Sequence, residues 1–266
     1  MSPIVSTIDT VRVETRGTIL EVTIDKPKAN AIDGPTCRAM SKIFVAFRDD
    51  PEYRVAILTA AGERFFSAGW DLKEISGLGA PDTDFGEGGW GGIQELPGLG
   101  KPIISAINGM CLGGGFELAL STDLIIAAEH AQFALPEIRA GILADAATIR
   151  LHRRIPYHVA MDMLLTGRWM DAAEAKSWGL LREVVPADRL MDAARELAEL
   201  LASGPPLLYP AIKETLRVTE NMDFQDAMNV VNKGGIPAVT TLYVSEDMLE
   251  GSRAFTEKRD PVWRGR

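Results

Sequence analysis

The chain is poor in the residues that most often announce chemistry: two cysteines and three histidines in 266 residues. Cys37 and Cys111 stand alone, neither in a CxxC pair nor beside a histidine, which argues against a disulfide framework or a zinc site and leaves two buried thiols. His130, His152 and His158 have no spacing that ligates a metal or serves a nucleophile, and Ser67 lacks a GxSxG context. No metal is therefore expected. A run of eighteen apolar residues is absent, and the start "MSPIVSTIDTVRVETRG" lacks the basic segment and apolar core of a secretion signal. The expectation is a cytoplasmic protein without a membrane span. Positive charge is also short: 28 Lys and Arg face 37 Asp and Glu, a net charge of −9 that repels polyanions and argues against general nucleic-acid binding. There is no internal repeat and no low-complexity tract.

What is present reads as an α/β protein. Hydrophobic residues make up 46% of the chain, enough for a substantial core. "VRVETRGTILEVTID" (11–25) has two β-rich runs around Gly17 and predicts a hairpin. The segment 34–50 places Pro35 in a first turn and Met40, Ile43, Phe44 and Phe47 on one face, the spacing of a core-facing helix. "RVAILTA" (54–60), "KPIISAIN" (101–108) and "DLIIAAE" (123–129) predict buried strands, and strands alternating with helices predict parallel pairing. The Gly- and Asp-rich 77–92 predicts a mobile loop near a ligand. Beyond residue 150 the pattern is helical, with Gly167, Gly179 and Gly204 as stops. The division implied is 1–203 as a core and 204–266 as a C-terminal helical region.

Three segments can carry chemistry. "GGGFELAL" (113–120) puts three glycines before an apolar helix that holds one acid, Glu117. An acid in a first helical turn is favoured by the helix dipole alone, yet three missing side chains also let a ligand approach backbone N–H groups. "RFFSAGWDLKEI" (64–75) is a second glycine-bearing turn after a strand, opening a short helix at Asp71. Two such turns are the raw material of an oxyanion hole, or they are unrelated. In "QFALPEIRAGILAD" (132–145), Pro136 ends a strand just before Glu137, which either faces solvent or sits at the mouth of a pocket.

In this order the three segments resemble the crotonase (enoyl-CoA hydratase/isomerase) superfamily, over almost the whole chain. The resemblance implies a spiral of ββα turns, C-terminal helices that pack into a homotrimer or a hexamer of two trimers, and a coenzyme A thioester as substrate, with no separate cofactor because coenzyme A is part of that substrate. "FFSAGWDLK", "PDTDFGEGGW", "GGGFELAL", "FALPE" and the ending "SEDMLEGSRAFTEKRDPVWRGR" are together similar to its carnitinyl-CoA dehydratase (crotonobetainyl-CoA hydratase) branch, a group of hydro-lyases. That similarity implies Glu117 and Glu137 as the catalytic pair, and the backbone N–H groups of Trp70 and Gly114 as the oxyanion hole. It further implies Lys28, Ala68, Asp71, Leu72, Phe255 and Lys258 as coenzyme A contacts, the last from a neighbouring subunit. A trimethylammonium acyl group would be met by aromatic faces or a carboxylate, and Phe85, Glu87, Trp90 and the Trp70 ring are the candidates. "LADAATIRL" (143–151) departs from the glycine-rich turn many hydratases have here, and its Asp145 resembles an acid of the dienoyl-CoA isomerases. A general 2-enoyl-CoA hydratase, an enoyl or dienoyl-CoA isomerase, or a non-catalytic RNA-binding member of the fold are the alternatives.

Overall fold

The computed structural model describes residues 3–71 and 84–266. Two sheets organise it. The larger has the order β1 (Val11–Arg16), β2 (Ile19–Ile24), β3 (Val55–Ala60), β5 (Ile103–Ile107), β7 (Leu124–Ala128), β10 (Glu183–Val185). The smaller runs β4 (Phe65–Ser67), β6 (Met110–Leu112), β8 (Gln132–Ala134), β9 (Trp169–Asp171). The expected hairpin is β1 and β2, paired antiparallel with Val11 opposite Ile24, and every other pair in the larger sheet is parallel.

The chain winds between the sheets as a spiral. Each of three successive turns lays a long strand in the larger sheet (β3, β5, β7) and then a short one in the smaller (β4, β6, β8). The short strands lie side by side and parallel, Ser67 beside Cys111 and Leu112 beside Ala134. Their carboxyl ends therefore open at one place, where parallel sheets collect ligands.

The central strands β3, β5 and β7 of the larger sheet are covered on both faces, which is why they read as largely apolar runs. One face joins the main core with Phe44, Phe47 and Phe66; the other, through Val55, Ile57, Ile104 and Ile126, packs on the helix Leu190–Ala202. The predicted helix 34–50 is found at Gly34–Asp49 and starts where the Asp33 carboxylate accepts the Thr36 N–H at 3.0 Å. Met40, Ile43, Phe44 and Phe47 all point inward, as their spacing requires. Cys37 and Cys111 are buried and unbridged.

Two expectations need correction. The part of the glycine-rich loop that is described is packed in place: Gly88 donates to the Ser41 hydroxyl at 2.9 Å and Gly91 to the Cys37 sulfur at 3.3 Å, while residues 77–83 lie outside the described residues. The region after residue 150 is not wholly helical either, since β9 and β10 close one edge of each sheet. Strands of three residues are too short to show an alternating pattern.

The C-terminal helices Leu208–Thr219 and Pro237–Tyr243 share a small core of Ala211, Ile236 and Val239, separate from the main one. Arg54 ties this region to the sheet by donating to the carbonyls of Ala202 and Trp263, both at 3.0 Å.

Candidate active site

Each glycine of "GGG" answers to a different neighbour. A Cβ on Gly113 would lie 2.5 Å from Oε1 of Glu137, one on Gly114 2.6 Å from the Trp90 indole, and one on Gly115 2.6 Å from the Ser67 carbonyl oxygen. Gly113 also has a φ of 53°, a conformation glycine adopts without strain, and its carbonyl accepts the Phe116 and Glu117 N–H groups that begin the helix Gly114–Leu120. Gly114 is the first residue of that helix, so its N–H has no acceptor from the helix itself.

The second turn is set against the first, backbone to backbone. Gly69, at φ 86°, has room for no Cβ: the atom would stand 2.8 Å from the Gly114 nitrogen and 2.9 Å from the Leu112 oxygen. The turn is pinned from the other side by Ile32, whose N–H donates to Gly69 O at 2.8 Å and whose carbonyl accepts from Asp71 N at 2.9 Å. Trp70 is thus carried to the same strand end as Gly114.

Glu117 projects from the first turns of its helix, and its Oε1 accepts the Ala147 N–H at 2.9 Å. Burial pushes its carboxyl upward, opposed by that N–H; Asp145 adds to the rise and Arg150 offsets it. Glu137 begins the short helix Glu137–Ala140 after Pro136. Burial, reinforced by the Glu117 charge, lifts its pKa to about 7. Its Oε2 is buried without a hydrogen-bond partner among the described residues. The two carboxyls sense each other, so protons leave them as a coupled pair.

Both acids open on one cavity of about 540 Å³. Ala68, Trp70, Phe85, Trp90, Gly114 and Asp145 share its wall, and the rings of Trp70 and Phe85 meet edge to face at 6.3 Å. Glu87 is not brought there: the loop turns it outward, where its carboxylate takes the Arg48 guanidinium at 2.5 Å. Asp71 instead pairs with Lys26 at 3.0 Å, and Leu72 lies outside the described residues. Lys28, Phe255 and Lys258 are exposed and off this wall, the last two at the end of the helix Glu246–Glu257. Sequence reasoning missed Gln94, Glu95 and Arg150, which line the cavity with no motif to mark them, and Ile142, Leu143 and Ile149, which form its apolar side.

Residues 14–266 match the family model described as enoyl-CoA hydratase/isomerase. The chain belongs to the enoyl-CoA hydratase/isomerase family. Within that family it is 50% identical to the carnitinyl-CoA dehydratase of Citrobacter koseri over 251 residues, 94% of this chain and 96% of that one. The carnitinyl-CoA dehydratase of Proteus mirabilis is also 50% identical, over 253 residues, 95% and 97% of the two chains. Among solved structures, an enoyl-CoA hydratase of Mycobacterium tuberculosis superposes with a TM-score of 0.88 at 34% identity, over 97% of this chain and 99% of that one. The spiral of paired strands described above is the fold of this family member.

Proposed function

We propose that this protein is a hydro-lyase that adds water across the 2,3 double bond of an acyl-CoA thioester and removes it from the 3-hydroxyacyl thioester, with crotonobetainyl-CoA and carnitinyl-CoA as the substrate pair. The observation that carries this reading is the opening of Glu117 and Glu137, from separate turns of the spiral, onto one cavity beside the two glycine turns.

In the hydration direction the thioester oxygen lies between the N–H groups of Trp70 and Gly114. Negative charge that develops there is stabilised by fixed donors, each contributing roughly 2.7–4 kcal/mol in comparable oxyanion holes. A water between the carboxyls gives a proton to Glu117 as its oxygen bonds to C3. The electron pair of the double bond moves toward the thioester, and Glu137 delivers a proton to C2 on the same face. Dehydration runs the same steps backward.

The acyl end favours a cationic group. Among the described residues Glu95, Glu117, Glu137 and Asp145 line the cavity against the guanidinium of Arg150, and the rings of Trp70, Phe85 and Trp90 offer π faces to a trimethylammonium that cannot donate hydrogen bonds. A plain 2-enoyl-CoA hydratase is the second reading, favoured by the apolar Ile142, Leu143 and Ile149. Hydration of crotonobetainyl-CoA measured against crotonyl-CoA separates the two: a preference for the first supports the carnitine-type substrate, and equal rates remove it.

For assembly we propose a trimer or a doubled trimer. Leu208, Ile212 and Leu216 form one exposed stripe on a single helix, and Phe255 is 86% exposed, surfaces that a neighbouring copy would cover. Lys28, Phe255 and Lys258 then remain candidates for coenzyme A contacts, the C-terminal two toward a neighbour's site. No described helix is long and apolar enough to cross a membrane, and a cytoplasmic location is proposed.

A further inference from the structure

The two proposed proton carriers, Glu117 and Glu137, are chemically identical side chains on one cavity, and some feature of the fold must decide which one carries the proton. Among the described residues no cation stands beside Glu137: burial and the Glu117 charge act on its carboxyl, which accepts from its own backbone N–H. Glu117 stands differently. The half-buried Arg150, in the last turn of the helix Asp145–Arg150, lines the same cavity and is fixed at both ends of its guanidinium. Nη1 donates to the Ser121 hydroxyl at 2.6 Å and Nη2 to the Gln94 carbonyl at 2.7 Å. Ser121 in turn donates to the backbone carbonyl of Glu117 at 2.8 Å, so the guanidinium is tied through Ser121 to the helix that carries that acid.

We propose that Arg150 is a positioning residue whose anchored charge keeps Glu117 as the carboxylate, making it the base and Glu137 the acid in the hydration direction. This rests on the hydratase reading above, which divides the roles between the two acids, and adds the residue that fixes that division. The same helix supplies both devices that favour the anion, the Ala147 N–H at its start and the guanidinium at its end. Among the described residues, Asp145 opposes ionisation of Glu117, Glu137 competes for the proton, and Arg150 is the cation acting on it. Arg150 itself is faced by Arg154 and by the carboxylates of Glu95 and Glu220.

The test is the pH profile of kcat/KM for crotonyl-CoA hydration in the full-length wild type, Arg150→Lys and Arg150→Gln. The acidic limb reports the base of the free enzyme. In Arg150→Gln it moves up by about half a unit to one unit, because the charge that held Glu117 ionised is gone. Arg150→Lys keeps the charge, so it is slower but its limb stays in place. An unmoved limb in folded Arg150→Gln, or an equal shift in Arg150→Lys, overturns the proposal. If Arg150→Gln is recovered unfolded, Ser121→Ala takes its place: it loosens one anchor and moves the limb the same way by less, and an unmoved limb there overturns it. A wild-type chain that hydrates no enoyl thioester overturns the hydratase reading, whereas an active wild type with unmoved limbs overturns the role of Arg150 alone.

Discussion

Gly69 and Gly114 meet backbone to backbone, with 2.8 Å between the Gly114 nitrogen and the place where a Cβ on Gly69 would stand. One contact therefore sets the spacing of both proposed oxyanion donors. Gly69→Ala must push the turns apart, in a backbone conformation that alanine resists. Hydration is expected to fall about 100- to 1,000-fold, the loss seen when one such donor is removed. Circular dichroism that stays native while kcat collapses would locate the damage in the site; near-normal kcat would mean the turns do not form the hole.

Glu117→Gln and Glu137→Gln each remove one proton carrier and keep the side chain's shape. Each is expected to lower kcat for hydration at least about 100-fold. The double variant should lose little more than the worse single one, because the acids act as a unit. Steady-state rates of the three variants check this, and additive losses would show two independent contributions.

Glu137 also predicts how stability changes with pH. Its carboxyl titrates near 7 in the fold and near 4.5 when solvated, so the folded state prefers the protonated form. That preference is fully present below about 4.5 and is lost as pH rises through 7. Glu137→Gln removes the cost of an ionised carboxyl, so its Tm should exceed the wild-type Tm by more at pH 8 than at pH 5. Thermal unfolding at the two pH values reads the difference, and an identical gap at both would mean that Glu137 is not perturbed.

Phe85 stacks edge to face on Trp70 at the cavity wall, and its ring is one of the proposed cation contacts. Phe85→Leu keeps an apolar side chain and removes the π face, worth about 0.5–1 kcal/mol toward a cation at a partly exposed position. KM for crotonobetainyl-CoA should rise about 2- to 5-fold with that for crotonyl-CoA unchanged. Equal effects on both substrates would assign Phe85 to general apolar packing.

The long elements were legible because their patterns are long. β3, β5 and β7 are five or six residues long and apolar but for Thr59 and Ser105, and the helix Gly34–Asp49 has four full turns of periodic spacing with an Asp cap. The smaller sheet was not: its strands have three residues each, and only their pairing in space makes them a sheet. The site divides the same way. Glu117 and Glu137 stand in segments whose order matches the family, so their meeting could be anticipated. Glu87 and Glu95 lie eight positions apart in one stretch, and nothing local says which faces the cavity. The turns at Gly86, Gly89, Gly91 and Gly92, all with positive φ, decide it by sending Glu87 to Arg48. Arg150 reaches the site only through tertiary packing on Ser121 and Gln94, a relationship no spacing rule encodes.

The most direct test of the central claim, one water shared by Glu117 and Glu137 on one face of the thioester, is the stereochemistry of hydration in deuterium oxide. NMR of the 3-hydroxyacyl product should show a single diastereomer with the C2 deuterium and the C3 hydroxyl added to the same face. Addition to opposite faces, or a mixture of the two, would contradict the account.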